Sequence, residues 1–246
     1  MEFELIAFGL ITGFTSGFFG IGGGSILIPM LLVAGFAMKE AVAISIMQMV
    51  FSSIYGSFLN SKKIKGLFRD GIILGVGASV GGLFSGYFLP SIPDIYLQYL
   101  FIAVLIYTIY TLFKAPASQE VIQEDKNIFL LAFIGFCVGI FAMSIGIGGS
   151  LMLLPILVQF LKYDLKVATA LGLFFVIFSS IGGFISTSLY GNMLYYEGAI
   201  IGIGSLIGVY FGIKIKEKTK STSYKKFVLL LNLFVLATMI YKTVEF

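Results

Sequence analysis

The chain has 246 residues, 59% of them hydrophobic and only 11% charged, with a mean hydropathy of +1.04 and a formal charge of +4. Water-soluble domains carry roughly 25% charged residues, so the composition excludes one and points to an integral membrane protein in contact with lipid. There is no histidine and a single cysteine, Cys137. An intrachain disulfide is therefore excluded, and no ligand set for structural zinc, haem or an iron–sulfur cluster is in sight. No cofactor is expected.

The start, Met1-Glu2-Phe3-Glu4, is acidic and runs straight into an apolar segment, so no cleavable signal is expected. Apolar segments lie at 4–20, 24–37, 39–60, 69–89 and 95–113. A polar stretch follows to Lys126, and a second set of segments lies at 128–145, 149–161, 165–189, 197–215 and 224–243. Most reach the ~20 residues that a helix needs to cross a bilayer. The alternating short segments of a membrane β-barrel are absent. The segment 24–37 is short: at 1.5 Å per residue it rises about 21 Å, less than a ~30 Å hydrocarbon core.

The two sets are related. Gly20 to Pro29 match Gly146 to Pro155 at an offset of 126 residues. One inserted residue later the offset becomes 127, where Lys39 matches Lys166, Phe51-Ser52-Ser53-Ile54 matches Phe178-Ser179-Ser180-Ile181, and Asp70-Gly71 matches Glu197-Gly198. Gly75, Gly77 and Gly81 match Gly202, Gly204 and Gly208. Such coincidence at one offset reads as a duplication. The expected organisation is a first repeat at 1–114, a polar linker at 115–126 and a second repeat at 127–246.

Loop charge orients the halves. The loop into the fourth segment carries Lys62, Lys63, Lys65 and Arg69 against Asp70, whereas the matched loop carries only Glu197. Asp94 stands alone before the fifth segment, whereas the matched loop carries Lys214, Lys216, Lys218, Lys220, Lys225 and Lys226 against Glu217. Basic loops favour the cytoplasmic side, so matched loops lie on opposite sides. The fold class expected is an all-α integral membrane protein of two inverted-topology repeats. Each has about five helical segments, and short broken or re-entrant helices meet near the membrane midplane. In one version all five segments cross; in another the first two form a hairpin. The linker charges favour neither side, so a four-plus-four parallel arrangement stays open.

The strings Gly20-Ile21-Gly22-Gly23-Gly24-Ser25 and Gly146-Ile147-Gly148-Gly149-Ser150 interrupt apolar sequence. A helix starting after them directs free N–H groups and about half a positive charge back at the turn. Such a start holds an anion without a cationic side chain. Candidate binding residues are Gly22, Gly23, Gly24 and Ser25, with Gly148, Gly149 and Ser150 opposite. Close helix packing is the competing role for these glycines, and the preferred one for Gly75, Gly77, Gly81, Gly82, Gly202, Gly204 and Gly208. Pro29 and Pro155 are expected in the first turns of the following helices. No βαβ unit surrounds the strings, so they are not dinucleotide fingerprints.

Gln48 reads as the only amide inside an apolar helix, opposite Phe175 in the second half. It serves an oxyanion or bridges helices. Ser45, Thr169, Ser52, Ser53, Ser179 and Ser180 read as hydroxyls bonded within or between helices. Asp70 and Glu197 open matched segments. They compensate helix dipoles or, since no carboxylate lies deeper in any segment, couple an ion as a proton relay. Lys39 and Lys166 sit at the two mouths as topology residues or as lures for anions.

The strings GFFGIGGGSILIPML and SIGIGGSLMLLPIL, each followed by Lys-x-Ala-x-Ala, resemble the signature of the TauE/SafE sulfite-exporter family over nearly the whole chain. The resemblance implies a small bacterial or archaeal inner-membrane permease for sulfur-containing anions such as sulfite or organosulfonates. Its glycine motif falls on Gly20, Gly22, Gly23 and Gly24, and on Gly146, Gly148 and Gly149. The first copy departs by carrying Gly24 where the second has Ser150, and by reading Ala41-Val42-Ala43-Ile44-Ser45 where the second has Ala168-Thr169-Ala170-Leu171-Gly172.

The expected function is a secondary transporter working by alternating access. An anion channel and a carrier of another small organic anion are the alternatives. No nucleophile–base pair argues for an enzyme, and the basic residues sit in loops rather than in a nucleic-acid footprint. The residues do not set an oligomeric state.

Overall fold

The computed structural model describes residues 2–64, 68–114, 127–163, 165–191, 193–219 and 221–245. The linker 115–126 and the side chain of Lys166 lie outside the described residues. All regular structure among the described residues is helical. Ten helices follow in order: α1 Glu2–Phe19, α2 Gly24–Val33, α3 Met38–Ile64, α4 Phe68–Phe88, α5 Asp94–Lys114, α6 Ile128–Ser144, α7 Ser150–Pro155, α8 Leu165–Tyr190, α9 Tyr195–Lys218 and α10 Ser221–Glu245. A 3₁₀ turn follows α4, and α7 continues as a π-helical turn, Ile156–Phe160.

Seven of these helices (α1, α3, α4, α5, α8, α9 and α10) are long and apolar enough to cross a membrane. Large apolar side chains cover their outer faces, Phe113, Phe211, Leu230 and Phe234 among them, as contact with lipid tails requires. The protein is therefore a multi-pass membrane protein. α1 has the length to span. α2, at 10 residues, rises only about 15 Å, half of a hydrocarbon core. α7 with its π turn is equally short.

Glycines set how closely the helices approach. A Cβ on Gly13 of α1 would lie 2.0 Å from the Ser205 carbonyl oxygen of α9, and one on Gly208 of α9 would lie 2.2 Å from the Leu10 oxygen. The α4 and α6 pair is built alike: Gly81 faces the Phe136 oxygen at 2.3 Å and Gly135 faces the Leu74 oxygen at 2.2 Å, both measured to an added Cβ. Lipid tails give helices no hydrophobic reason to associate, so backbone-to-backbone contact through small residues supplies the dispersion energy instead. Gly75 and Gly202 instead seat the rings of Phe178 and Phe51. The packing role expected for these glycines is the one the structure gives them.

The contacts also give helix directions. Gly9, Gly13 and Gly17 of α1 meet Ile201, Ser205 and Val209 of α9 in ascending order, and Met47 and Phe51 of α3 meet Gly198 and Gly202. Thus α1, α3 and α9 run together. Gly77 and Gly81 of α4 meet Ala132 and Phe136 of α6, and Gly82 and Gly86 meet Ser179 and Ser186 of α8, so α4, α6 and α8 run together. α3 and α8 are antiparallel, because Gly56 packs on Leu173 whereas Met49, a turn and more earlier in α3, lies with Val176 against Gly22. The contacts that α1, α3 and α4 make with α9, α8 and α6 recur in reciprocal form across the bundle.

Three expectations need correction. Pro29 and Pro155 are each the sixth residue of their helix, in the second turn rather than the first. Pro155 leaves the Leu151 carbonyl without its helical N–H, and Thr108 of α5 donates its hydroxyl there at 3.2 Å. Gln48 is not the only buried amide: Gln98 of α5 and Asn232 of α10 are buried as well. Lys214 and Lys216 belong to α9, which runs to Lys218. Substituting Gly81 by leucine is expected to force α4 from α6, at a cost of about 1–3 kcal/mol or more. The thermal midpoint of the purified protein, read by scanning fluorimetry in detergent, should fall by several degrees, whereas Gly35→Ala, where an added Cβ meets nothing within 4 Å, tests backbone conformation alone.

Candidate functional site

α1 ends where Gly20 turns left-handed, at φ +70, and Gly22 and Gly23 follow at +81 and +80. Gly146, Gly148 and Gly149 repeat these values at +68, +81 and +78. A side chain at such φ costs roughly 1–2 kcal/mol, so only glycine builds this turn cheaply. Each string thereby stops one helix and starts another: Gly23 caps α2 and Gly149 caps α7.

The strings meet in the middle of the bundle. A Cβ on Gly24 would lie 2.0 Å from the Gly146 carbonyl oxygen, and one on Gly148 would lie 3.4 Å from the Ile21 oxygen. Gly22 and Gly148 both rest on Met49 of α3 and Val176 of α8, and these two side chains are matched at the offset of 127. Met49 and Val176 each stand near the middle of a long helix. The candidate residues from the two halves are thus gathered into one place.

Donors collect there. The first hydrogen bonds of α2 run from the Ile26 and Leu27 N–H groups to the Gly23 oxygen. Those of Gly24 and Ser25 fall outside the helical ladder, as at any helix start. Gln48 of α3 lies against Gly23, its amide atoms 2.9 and 3.0 Å from where a Cβ would be. Gln48 is fully buried, and neither its Oε1 nor its Nε2 has a hydrogen-bond partner. The hydroxyls of Ser16, Ser25 and Ser150 are buried and lack partners too. Buried polar groups are paired in the great majority of cases, so this cluster is unusual. Such atoms also occur on Ser57, Gln98, Thr187 and Ser188.

The two halves of the site differ. Where Gln48 faces Gly23, Phe175 faces Gly149 with its ring edge 2.4 Å from an added Cβ. Ser45 donates to the Gly146 oxygen at 3.0 Å and to the Val42 oxygen at 2.9 Å. Its counterpart Gly172 leaves room for the Cβ of Ser150. Ser52, Ser53, Ser179 and Ser180 donate to carbonyls three residues back in their own helices, which is the helix-bonded role expected of them. Thr169 differs: its hydroxyl accepts from the Lys216 ammonium at 2.9 Å.

The outlying candidates lie away from this centre. Asp70, in the first turn of α4, accepts from the Tyr163 hydroxyl at 2.5 Å. Burial first, and then this carboxylate, push the Tyr163 phenol above its ordinary range, so it remains protonated and holds the acid as a donor. Glu197 stands in the first turn of α9, half-buried. Lys39 lines a cleft of about 340 Å³ with Glu40, Ala43, Leu89 and Thr187. It pairs with Asp94 at 3.8 Å and donates to the Pro90 oxygen at 2.9 Å. Sequence reasoning missed Lys216 because it reads as one more charge in a basic loop. No cluster of three metal-ligating side chains occurs among the described residues.

The profile of the sulfite exporter TauE/SafE family matches residues 5–239. The chain is 29% identical to the probable membrane transporter protein MJ0441 of Methanocaldococcus jannaschii, over 89% of this chain and 90% of that one. It is 23% identical to the probable membrane transporter protein YunE of Bacillus subtilis, over 87% and 90% of the two. YdhB of the same organism, also named a probable membrane transporter protein, is 25% identical over 83% and 86%. With its glycine-broken helices meeting inside a lipid-facing bundle and a profile match spanning almost its full length, the chain belongs to the TauE/SafE sulfite exporter family.

Proposed function

We propose that this protein is a secondary transporter that carries a small sulfur oxyanion, sulfite or an organosulfonate, through a site between its two glycine strings. The single observation behind this reading is the cluster of buried, unpartnered donors at the start of α2: the Gln48 amide and the Ser25 hydroxyl beside left-handed Gly22 and Gly23. Leaving such groups unsatisfied costs roughly 1–3 kcal/mol each, and an oxyanion with several acceptor oxygens recovers that cost. The α2 dipole adds about half a positive charge at the same point. Ser150, Gly148 and Gly149 complete the site from the other half. The class of anion follows the name of the family; its relatives are named only as probable membrane transporters.

The transport cycle is read as alternating access between two inverted halves, residues 1–114 and 127–246. Three features support this. Matched helices run in opposite directions, the contacts between halves are reciprocal, and the glycine turns repeat their φ values. Transporters of this kind hold substrate at the repeat interface with broken helices. The close approach of Gly24 to Gly146 supports a carrier over an open channel. Asp70 and Glu197, matched carboxylates at two helix starts, are the residues proposed to couple the anion to an ion gradient.

In proteoliposomes, Gly22→Leu is expected to abolish uptake of radiolabelled sulfite, because the added side chain meets Val176 and Met49 at 3.2 and 3.3 Å from its Cβ onward. Gln48→Leu is expected to raise the half-saturating concentration about tenfold to a hundredfold, the loss of one hydrogen bond to a charged group. Full activity in both variants would refute the site. Asp70→Asn combined with Glu197→Gln should remove the response to an imposed proton or sodium gradient while exchange of labelled for unlabelled anion persists. A response unchanged in the double variant would assign coupling elsewhere.

A further inference from the structure

Lys216 is a cation inside the protein. It lies in the last turn of α9 and is only 2% exposed. Its ammonium donates to Thr169 Oγ1 at 2.9 Å and stands 5.9 Å from the centre of the Tyr224 ring. That tyrosine is itself fixed, donating to the Phe19 carbonyl at the end of α1 at 2.9 Å. Taking an ammonium out of water is costly, and packing alone does not demand it here. At the offset that relates the two halves, Lys216 corresponds to Leu89 and Thr169 to Val42, both buried apolar residues. One half solves this position with aliphatic side chains. The other places a charge and a hydroxyl there.

The position is connected to the glycine site. A Cβ on Gly20 would lie 2.5 Å from the Thr169 oxygen and 2.9 Å from the Thr169 Cβ, so Thr169 rests on the first residue of the first string. One helical turn further along α8, Gly172 touches the Cβ of Ser150 and approaches the Gly20 oxygen. The Ser150 hydroxyl is buried without a partner. Lys216, Thr169 and Ser150 thus step inward from the end of α9 to the place where the strings meet. The end of α9 also carries Lys214 and Lys218, both exposed, so this is the lysine-rich face of the bundle.

We infer that Lys216 and Thr169 form a second anion station, between the lysine-rich face and the glycine site, which receives the oxyanion at that face only. The inference rests on the proposed anion site and adds a charged step on one side of it. An oxyanion arriving there accepts from the ammonium and from the Thr169 hydroxyl, then passes to Ser150 and the backbone of the strings. In the other half Leu89 and Val42 offer no equivalent. The cleft on that side is lined by Lys39, whose charge Asp94 already faces.

The test measures uptake of radiolabelled sulfite by the full chain in vesicles of known orientation, so that each face is presented in turn. Lys216→Met is expected to raise the half-saturating sulfite concentration about tenfold at the lysine-rich face and less than about twofold at the other. Lys216→Arg, which keeps the charge, should restore most of the affinity. Lys214→Met, which removes an exposed lysine from the same end, should change little, and its small effect should vanish in salt while that of Lys216→Met persists. An equal change at both faces, or none, overturns the station. If Lys216→Met does not purify as a monodisperse protein, Thr169→Val decides. A rise of about threefold at the lysine-rich face supports the station, and an unchanged value overturns it. If Gly22→Leu and Gln48→Leu both keep full activity, the glycine site falls and the station falls with it as a step toward that site, whatever Lys216→Met does; if they lose activity while Lys216→Met changes nothing, the station alone falls. If the unaltered protein moves neither sulfite, sulfoacetate nor sulfate, both fall.

Discussion

A broken helix in a water-poor interior must find partners for its backbone, and the rest of this structure depends on how that demand is met. In lipid or packed protein an unsatisfied N–H or C=O costs several kcal/mol. Here α1 and α6 stop in mid-bundle, and α2 and α7 start there. Two carbonyls at these breaks, and one that Pro155 frees inside α7, accept hydroxyls from elsewhere in the fold. Tyr224 donates to Phe19, Ser45 to Gly146 and Thr108 to Leu151. The N–H groups at the helix starts are treated differently. Donors and amides gather beside them without partners, which is the arrangement that suits an anion.

Close packing makes the break tolerable. Stripes of glycine on α1, α4, α6 and α9 bring backbones into contact and hold the long helices at short distance. That grip fixes α3 and α8, and these in turn present Met49 and Val176 to both strings. Left-handed glycines then turn the chain at the point of contact without side chains that would fill it. A Cβ at Gly24 or at Gly148 would collide with the opposite string or with Met49. Glycine therefore has two separate duties in this protein: absence of bulk in the helices, and freedom of φ in the strings.

Symmetry in the backbone coexists with asymmetry in the side chains. The φ angles of the two strings agree within a few degrees, from +70 and +68 at Gly20 and Gly146 to +80 and +78 at Gly23 and Gly149. Around this common frame, Gln48 stands opposite Phe175, Ser45 opposite Gly172, and Lys216 opposite Leu89. The polar members are divided between the halves rather than shared. Such a division lets one backbone architecture present different chemistry to its two faces, as the proposed carrier requires if the anion is received at one side and released at the other.

Much was legible in the amino-acid order because it rests on local physics. Long apolar runs must become helices in lipid, since only a helix satisfies its own backbone there. Glycine and proline at fixed places announce where those helices break, and the repeated strings announced that two breaks are related. The packing glycines were readable for the same reason. Other features depend on where distant segments meet. That Gln48 abuts Gly23, that Gly24 touches Gly146, and that Tyr163 holds Asp70 follow from packing between helices far apart in the chain. Lys216 is the clearest case. In the sequence it is one lysine in a basic run, equal to Lys214 and Lys218, and only the docking of α9 beside α1, with the start of α8 and Tyr224 of α10 brought against its last turn, turned that one inward. Burial is a property of the neighbours a residue acquires, so no local pattern encoded it.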